Sequence, residues 1–144
     1  MADLIVTIDG PAASGKSTAA RLLAGRLGAF FLDTGAMYRA VTLAAMQAGV
    51  DMSDEDELLD VLRKSKFEFS SRGGKMTVAI DGVDVTEQIR QTEVTSNARY
   101  IASSAKLRER LVQMQRQFAE SEEKIVTEGR DQGTVAFADA DVKF

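Results

Sequence analysis

The spacing of hydrophobic residues in the first third of the chain predicts alternating strands and helices. Residues 4–8 and 29–32 are short apolar runs, typical of buried strands. Helices are predicted from Lys16 to a stop at Gly28, and over residues 35–49. The apolar residues that recur at helical spacing are Ala19, Leu22, Leu23 and Leu27 in the first helix, and Met37, Val41, Ala44, Ala45 and Ala48, expected to face inward, in the second. This order favours a parallel sheet covered by helices.

The middle of the chain follows a different pattern. Ser53, with Asp56 three residues later, is typical of a capped helix start and leads into an apolar stretch over residues 58–62. Residues 67–69 and 76–80 alternate between apolar and polar on either side of Gly73-Gly74, which indicates a β-hairpin. Residues 83–85 suggest a third short strand. We therefore expect a small antiparallel insert over residues 66–86.

The last third of the chain predicts two helices and two more parallel strands. The helices are expected over residues 86–100 and 104–120, the second with an apolar stripe of Leu107, Leu111, Met114 and Phe118. A third strand begins at residue 125 and a fourth at residue 142. Because the chain stops within an apolar run, we expect residues 1–144 to form a single α/β domain that is incomplete at its C-terminus.

Composition and charge narrow the possible functions. The 144 residues are 44% hydrophobic and 28% charged, which is typical of a globular domain. The net charge of −4 gives no overall attraction to nucleic acid polymers or anionic membranes. The chain has no Cys and no His, which excludes disulfides and removes the commonest general base and metal ligand. With no bilayer-spanning run and no signal-peptide pattern, we expect a cytoplasmic location. We also expect the protein to be a monomer.

One motif points to phosphate binding. Residues 10–17 match the pattern G-x-x-x-x-G-K-[ST] between a predicted strand and a predicted helix. In such a loop, successive backbone N–H groups surround phosphate oxygens and the helix N-terminus adds positive potential. Lys16 can reach the outer phosphates, and Ser17 can ligate Mg²⁺. The predicted nucleotide-binding residues are Gly10, Pro11, Ala12, Ala13, Ser14, Gly15, Lys16, Ser17 and Thr18. A glycine-rich turn without a ligand is the alternative, but such a turn does not need the Lys-Ser pair.

Two further segments narrow the interpretation from phosphate binding in general to one family of enzymes. Residues 32–39 read LDTGAMYR, and residues 128–135 read EGRDQGTV. Together with IDGPAASGKST, this ordered set resembles bacterial cytidylate kinase, a P-loop nucleoside monophosphate kinase, over essentially the whole chain. The resemblance implies transfer of a phosphoryl group from ATP to CMP or dCMP. It also implies a three-layer P-loop NTPase fold, with the insert over 66–86 as part of the monophosphate-binding region.

The resemblance implies an acceptor site built from five residues. Arg39, Arg108 and Arg130 match the family's arginines that bind the phosphate of CMP, for which guanidinium groups are well suited. Asp131 matches the residue that accepts a hydrogen bond from the amino group of cytosine, and Thr34 lies near the base. The alternatives from the residues alone are exposed helix arginines for Arg39 and Arg108, and helix caps for Asp131 and Thr34.

The catalytic residues implied by the resemblance are Lys16, Arg130 and Glu128. Glu128 ends the third parallel strand, where related kinases use an acidic residue to organise the water shell of Mg²⁺. Asp9, beside the P-loop, is a weaker candidate for that role. A strand-end carboxylate without a special role is the alternative for Glu128.

The chain also departs from the family pattern. Arg99 stands where the family commonly has Ser near the base, and Ala138 stands where it often has Pro. Full-length members continue with an arginine-rich lid, so the activity of this stretch by itself is left open. The alternatives are another small-molecule P-loop kinase, acting on UMP or shikimate for example, or an inactive nucleotide-binding fragment without the lid.

Overall fold

The computed structural model describes residues 3–11, 15–72 and 75–144. Three residues of the expected phosphate loop (Ala12, Ala13 and Ser14) and the expected turn at Gly73-Gly74 therefore lie outside the described residues. The strands are β1 (Leu4–Asp9), β2 (Phe30–Asp33), β3 (Phe67–Arg72), β4 (Lys75–Ile80), β5 (Val83–Asp84), β6 (Lys124–Gly129) and β7 (Val142–Lys143). The helices are α1 (Lys16–Leu27), α2 (Thr34–Ala48), α3 (Glu55–Lys64), α4 (Thr92–Ala102) and α5 (Ala105–Ser121), with short helical turns at Gln88–Arg90 and Gln132–Ala136.

The expected parallel sheet is present, with the strand order β2-β6-β1-β7. Strand β6 lies between β1 and β2 and runs parallel to both, which aligns Glu128 with Ile8 on one side and with Asp33 on the other. The carboxyl ends of β1, β2 and β6 therefore meet at one edge of the sheet, where α/β proteins place their ligand sites. This confirms the α/β class with parallel strands.

The chain forms two units, and the first holds this sheet. It comprises Met1–Gly35, Ser70–Met76 and Val112–Phe144. Its core is a cluster of Val6, Ile8, Ala20, Ala24, Phe31 and Val126. Helix α1 contributes the fully buried alanines 20 and 24, whereas Leu22 is 62% exposed and Ala19 is also exposed. The apolar spacing thus located the helix but included two residues that face solvent.

The second unit comprises Ala36–Phe69 and Thr77–Leu111. Most of α2 is buried here, because it is apolar on nearly every side from residue 40 to residue 45. Ala48 is exposed, so its expected inward orientation is wrong. The largest fully buried side chains of this unit are Met37, Leu58, Ile89, Ile101, Leu107, Leu111, Val41 and Val78. None of the described helices combines the length and apolar character needed to cross a membrane.

The antiparallel sheet has the order β3-β4-β5, as the hairpin pattern predicted. Strands β4 and β5 pair antiparallel around Asp81 and Gly82, whose φ angles of 49° and 82° lie in the left-handed region. The predicted helix over 86–100 begins later, at Thr92, because the hydroxyl and N–H of Thr86 bond to Val78 and Asp84. The assignment of residues 66–86 to a monophosphate-binding region stays a prediction.

The start of α3 also differs from expectation. Asp54, rather than Ser53, is the N-cap, and its carboxylate accepts hydrogen bonds from the N–H groups of Asp56 and Glu57. Ser53 donates instead to Asp51, in a turn one step earlier in the chain. Serine and aspartate are both good N-cap residues, so the sequence pattern could not distinguish Ser53 from the adjacent Asp54.

Candidate functional site

The phosphate loop begins at the end of β1 and leads directly into α1. Gly10 N donates to Gly129 O at 3.2 Å, which ties the first residue of the loop to the end of β6. Gly15 has a φ of 82°, a conformation that favours glycine, and α1 starts at the next residue. The N-cap residue, Gly15, has no side chain that could accept from the first N–H groups of α1. Such a helix start is suited to bind an anion.

Lys16, Ser17 and Glu128 converge at the carboxyl end of β6. Ser17 Oγ donates to Glu128 Oε1 at 2.8 Å, and Lys16 Nζ lies 3.4 Å from the same oxygen. Lys16 Nζ also donates to Pro11 O at 3.2 Å, along the loop. The structure therefore brings Glu128 to Lys16 and Ser17, which lie more than a hundred positions earlier in the sequence. Hydroxyl and carboxylate oxygens are the ligand types that Mg²⁺ prefers, so this pair fits that ion.

Glu128 is buried to an unusual degree for a carboxylate. The side chains of Lys16 and Glu128 are only 13% and 7% exposed. A buried carboxylate is destabilising unless it is paired and hydrogen-bonded, and here Ser17 and Lys16 supply both partners. Glu128 therefore holds Lys16 and Ser17 in place next to the phosphate loop.

Thr34 is the first residue of α2 and is 4% exposed. Its hydroxyl donates to Glu128 O at 2.8 Å, which fixes the start of α2 to the end of β6. Gly129 permits this approach, since a Cβ at that position would lie 2.6 Å from Thr34 Oγ1. The hydroxyl oxygen keeps acceptor capacity, which a polar ligand could use.

Arg130 and Asp131 follow β6 directly. Arg130 is exposed and Asp131 is half-buried, at the start of the turn Gln132–Ala136. Asp131 makes no side-chain cap to this turn, so the alternative of a helix cap does not hold. Asp9 caps it instead, because its two carboxylate oxygens accept from Gln132 N and Gly133 N, each at 2.8 Å. Both carboxylate oxygens of Asp9 are therefore bonded to this turn, and its role near Mg²⁺ stays a weaker prediction than that of Glu128.

Sequence reasoning missed Gln132 entirely. The residue is fully buried, its Oε1 accepts from Thr127 Oγ1 at 2.6 Å, and its Nε2 donates to Asp131 Oδ1 at 3.0 Å. It therefore orients the carboxylate of Asp131 from within the protein. A glutamine directly after the EGRD segment was the only signal, and nothing in its spacing distinguishes it from a surface residue.

Arg116 was also missed. From α5 its Nε donates to Ala136 O and its Nη2 donates to Val135 O, both at 2.9 Å. The last carbonyls of the turn after Asp131 are thus bonded by a guanidinium group. No motif could have predicted this contact, because the acceptors are backbone groups about twenty residues further along the chain.

The other three arginines that the sequence analysis singled out lie in the second unit. Arg39 is half-buried on α2, and Arg108 is exposed on α5. Arg99, on α4, donates to Tyr100 Oη at 3.1 Å, and its Cζ lies 4.8 Å from the ring centroid of Tyr100. The family-based roles of Arg39 and Arg108 stay predictions.

Comparison with known proteins gives consistent matches. A family model described as cytidylate kinase matches residues 6–144. The chain is 44% identical over 138 residues to the cytidylate kinase of Lactobacillus gasseri, which covers 96% of this chain and 60% of that protein. It is 46% identical over 138 residues to that of Limosilactobacillus fermentum, with the same coverage, and 42% identical over 144 residues to that of Haemophilus ducreyi, covering 100% of this chain and 64% of the relative. The chain therefore spans about 60% of the length of these curated relatives.

Proposed function

Because this chain belongs to the cytidylate kinase family, we propose that the protein containing it transfers the γ-phosphoryl group of ATP to CMP or dCMP. The observation that carries the proposal is the convergence of Lys16, Ser17 and Glu128 at the end of β6. Two residues further on lies Arg130, the first residue of the segment proposed to bind the acceptor. Glu128 on the donor side and Arg130 on the acceptor side are thus two positions apart at the end of β6.

On the donor side, the N–H groups of the phosphate loop and Lys16 bind the phosphates of ATP. Ser17 and Glu128 would hold Mg²⁺, which would neutralise negative charge that develops during transfer. Lys16 is already aimed along the loop by its bond to Pro11 O. Its ammonium group supplies a point charge to the outer phosphates.

On the acceptor side, five residues bind the nucleotide. Arg130, Arg39 and Arg108 bind the phosphate of CMP through charge-assisted hydrogen bonds. Asp131, oriented by its buried neighbour, accepts a hydrogen bond from the exocyclic amino group of cytosine. Thr34 contributes a polar group near the base. The acceptor phosphate is already anionic near neutral pH, so the reaction needs positioning and charge stabilisation rather than a general base.

The remaining features agree with a small-molecule enzyme. The net charge of −4 opposes binding of polyanions, so phosphate recognition rests on local groups. We place the enzyme in the cytoplasm as a monomer, with nucleotides as its partners and neither nucleic acid polymers nor membranes. The antiparallel insert over 66–86 serves the monophosphate site. Arg99 influences base selectivity, because it stands where the family commonly has Ser near the base.

The direct test is a coupled assay of ADP formation by the full natural protein with ATP, Mg²⁺ and each of CMP, dCMP, UMP and AMP. CMP and dCMP are expected to be phosphorylated far better than UMP or AMP. Asp131→Asn is expected to reduce the preference for CMP over UMP, because an amide can donate to the carbonyl of uracil. Equal rates on all four acceptors would remove the cytosine assignment. A protein that binds ATP but not CMP would instead be a nucleotide-binding module.

A further inference from the structure

The turn Gln132–Ala136, which follows the proposed base-reading residue, is held at its amino end by a distant carboxylate. Asp9 Oδ1 accepts from Gln132 N and Asp9 Oδ2 accepts from Gly133 N, both at 2.8 Å. This is the hydrogen bonding of a helix N-cap, except that the carboxylate comes from another strand. Asp9 is also the residue directly before Gly10 of the phosphate loop.

The same turn is held at its carboxyl end by a guanidinium group. Arg116 donates through Nε and Nη2 to the carbonyls of Ala136 and Val135, each at 2.9 Å. The fork geometry of arginine allows two acceptors to be bonded at fixed spacing. A negative group at the amino end and a positive group at the carboxyl end both complement the peptide dipoles of the turn.

These contacts link the two sides of the proposed reaction. The loop that binds ATP and the segment after β6 are connected by Gly10 N to Gly129 O and by the two bonds of Asp9. Gly133 packs so closely that a Cβ there would lie 2.8 Å from Thr7 Oγ1. Displacement of the turn would therefore move Gln132, whose side chain donates to the carboxylate of Asp131.

We infer that Asp9 and Arg116 are positioning residues that together fix the Arg130-Asp131 segment relative to the phosphate loop. The inference rests on the proposed function, since it assigns these contacts a purpose in binding the acceptor nucleotide. Neither residue is proposed to touch the substrate. Asp9 acts through the backbone of Gln132 and Gly133, and Arg116 acts through the carbonyls at the far end of the turn.

The test uses the full natural protein with the variants Asp9→Asn, Arg116→Gln and Arg116→Lys. Arg110→Gln, which changes another exposed arginine of α5, is the matched control. Three quantities are measured for each variant: the Kd for CMP in the absence of ATP, the Kd for Mg·ATP, and kcat and KM for CMP. Melting temperatures are recorded alongside.

Asp9→Asn and Arg116→Gln are expected to lower kcat/KM for CMP by about 10- to 100-fold, the size of effect that follows from a misplacement of around 1 Å. The Kd for CMP should rise, whereas the Kd for Mg·ATP should stay close to that of the wild type. Arg116→Lys should recover part of the loss, because it keeps the charge but not the fork. The control should behave as the wild type. The double variant should cost less than the sum of the two single changes, because both residues hold one turn.

Two outcomes overturn the inference while leaving the proposed function in place. One is normal CMP binding and turnover in Asp9→Asn and Arg116→Gln. The other is an equal loss of CMP and ATP binding that follows the melting temperature, which is the result of general destabilisation. If the wild-type protein itself does not bind CMP, the proposed function fails and the inference fails with it.

Discussion

At the scale of single residues, two glycines determine how closely the segments around the site approach each other. A Cβ on Gly129 would lie 2.6 Å from Thr34 Oγ1, and one on Gly133 would lie 2.8 Å from Thr7 Oγ1 and 3.3 Å from Asp9 Oδ2. Contacts below about 3 Å force the neighbouring atoms to move, and Thr7 is fully buried in the sheet. The position of the Arg130-Asp131 segment therefore depends on the absence of these two side chains.

Gly133→Ala is accordingly expected to destabilise the protein by about 1–3 kcal/mol, as overpacking of a well-packed site does. The matched control is Gly25→Ala, in the last turn of α1, where a Cβ would meet nothing within 4 Å. That change should stabilise the protein by about 0.5–1 kcal/mol, because alanine is the better helix former. Urea unfolding of both variants measures the difference. If the two variants had the same stability, the close approach at Gly133 would be wrong.

The residues that could be predicted from the sequence are those whose chemistry is carried by a local motif. Lys16 and Ser17 follow from the spacing of the phosphate loop, and Glu128 was implied by the family resemblance together with its place at a strand end. Asp9 and Arg116 could not be assigned in the same way. Their partners are backbone N–H and C=O groups of a distant turn, and every residue other than proline has both groups.

At the scale of elements, α3 shows how local charge supports a helix. Acidic residues fill its first turn, and Arg63 and Lys64 lie in its last turn, as the helix dipole favours. Hydrogen bonds from Lys64 and then Arg63 hold the pKa of Asp60 below its usual value. These pairs are exposed and contribute little to stability, so the N-cap is the main local contribution.

Asp54→Ala is therefore expected to lower the free energy of unfolding by about 1 kcal/mol, since it removes the acceptor for the N–H groups of Asp56 and Glu57. Ser53→Ala serves as the control, because Ser53 bonds only to the preceding turn in the contacts described for it. Chemical denaturation compares the two variants. A larger loss from Ser53→Ala than from Asp54→Ala would contradict the assignment of the cap.

The order of the strands was the part of the fold that local patterns could not supply. Apolar runs predicted each strand of the parallel sheet, but the insertion of β6 between β1 and β2 depends on pairing over more than ninety residues. That insertion is what brings Glu128 to Ser17. The late start of α4 has a similar cause, because Thr86 bonds to Val78 in the neighbouring strand instead of extending the helix. The periodicity of the sequence indicates which residues are apolar, but not which strand or hydrogen-bonding group each residue pairs with.

At the scale of the whole molecule, the net negative charge of the chain opposes the binding of negatively charged phosphates. The chain has 22 acidic and 18 basic residues, so its overall field repels phosphates. In the proposed function, nucleotide binding therefore rests on a few local groups, which on the donor side are the N–H groups at the start of α1 and the side chain of Lys16. Loss of one such cation should remove much of the affinity for ATP while leaving the affinity for CMP intact.

Lys16→Ala tests that separation through thermal unfolding of the full protein. A ligand present at 100 times its Kd stabilises a one-site protein by about 2.7 kcal/mol, so CMP and Mg·ATP should each raise the Tm of the wild type. In Lys16→Ala the response to Mg·ATP is expected to be lost or strongly reduced, whereas the response to CMP should persist. Lys64→Ala, which changes an exposed lysine of α3, should respond to both ligands as the wild type does. A Lys16→Ala protein that still responds fully to Mg·ATP would refute the donor site. One that loses both responses would show instead that Lys16, through its pairing with the buried Glu128, supports the structure on which both nucleotide sites depend.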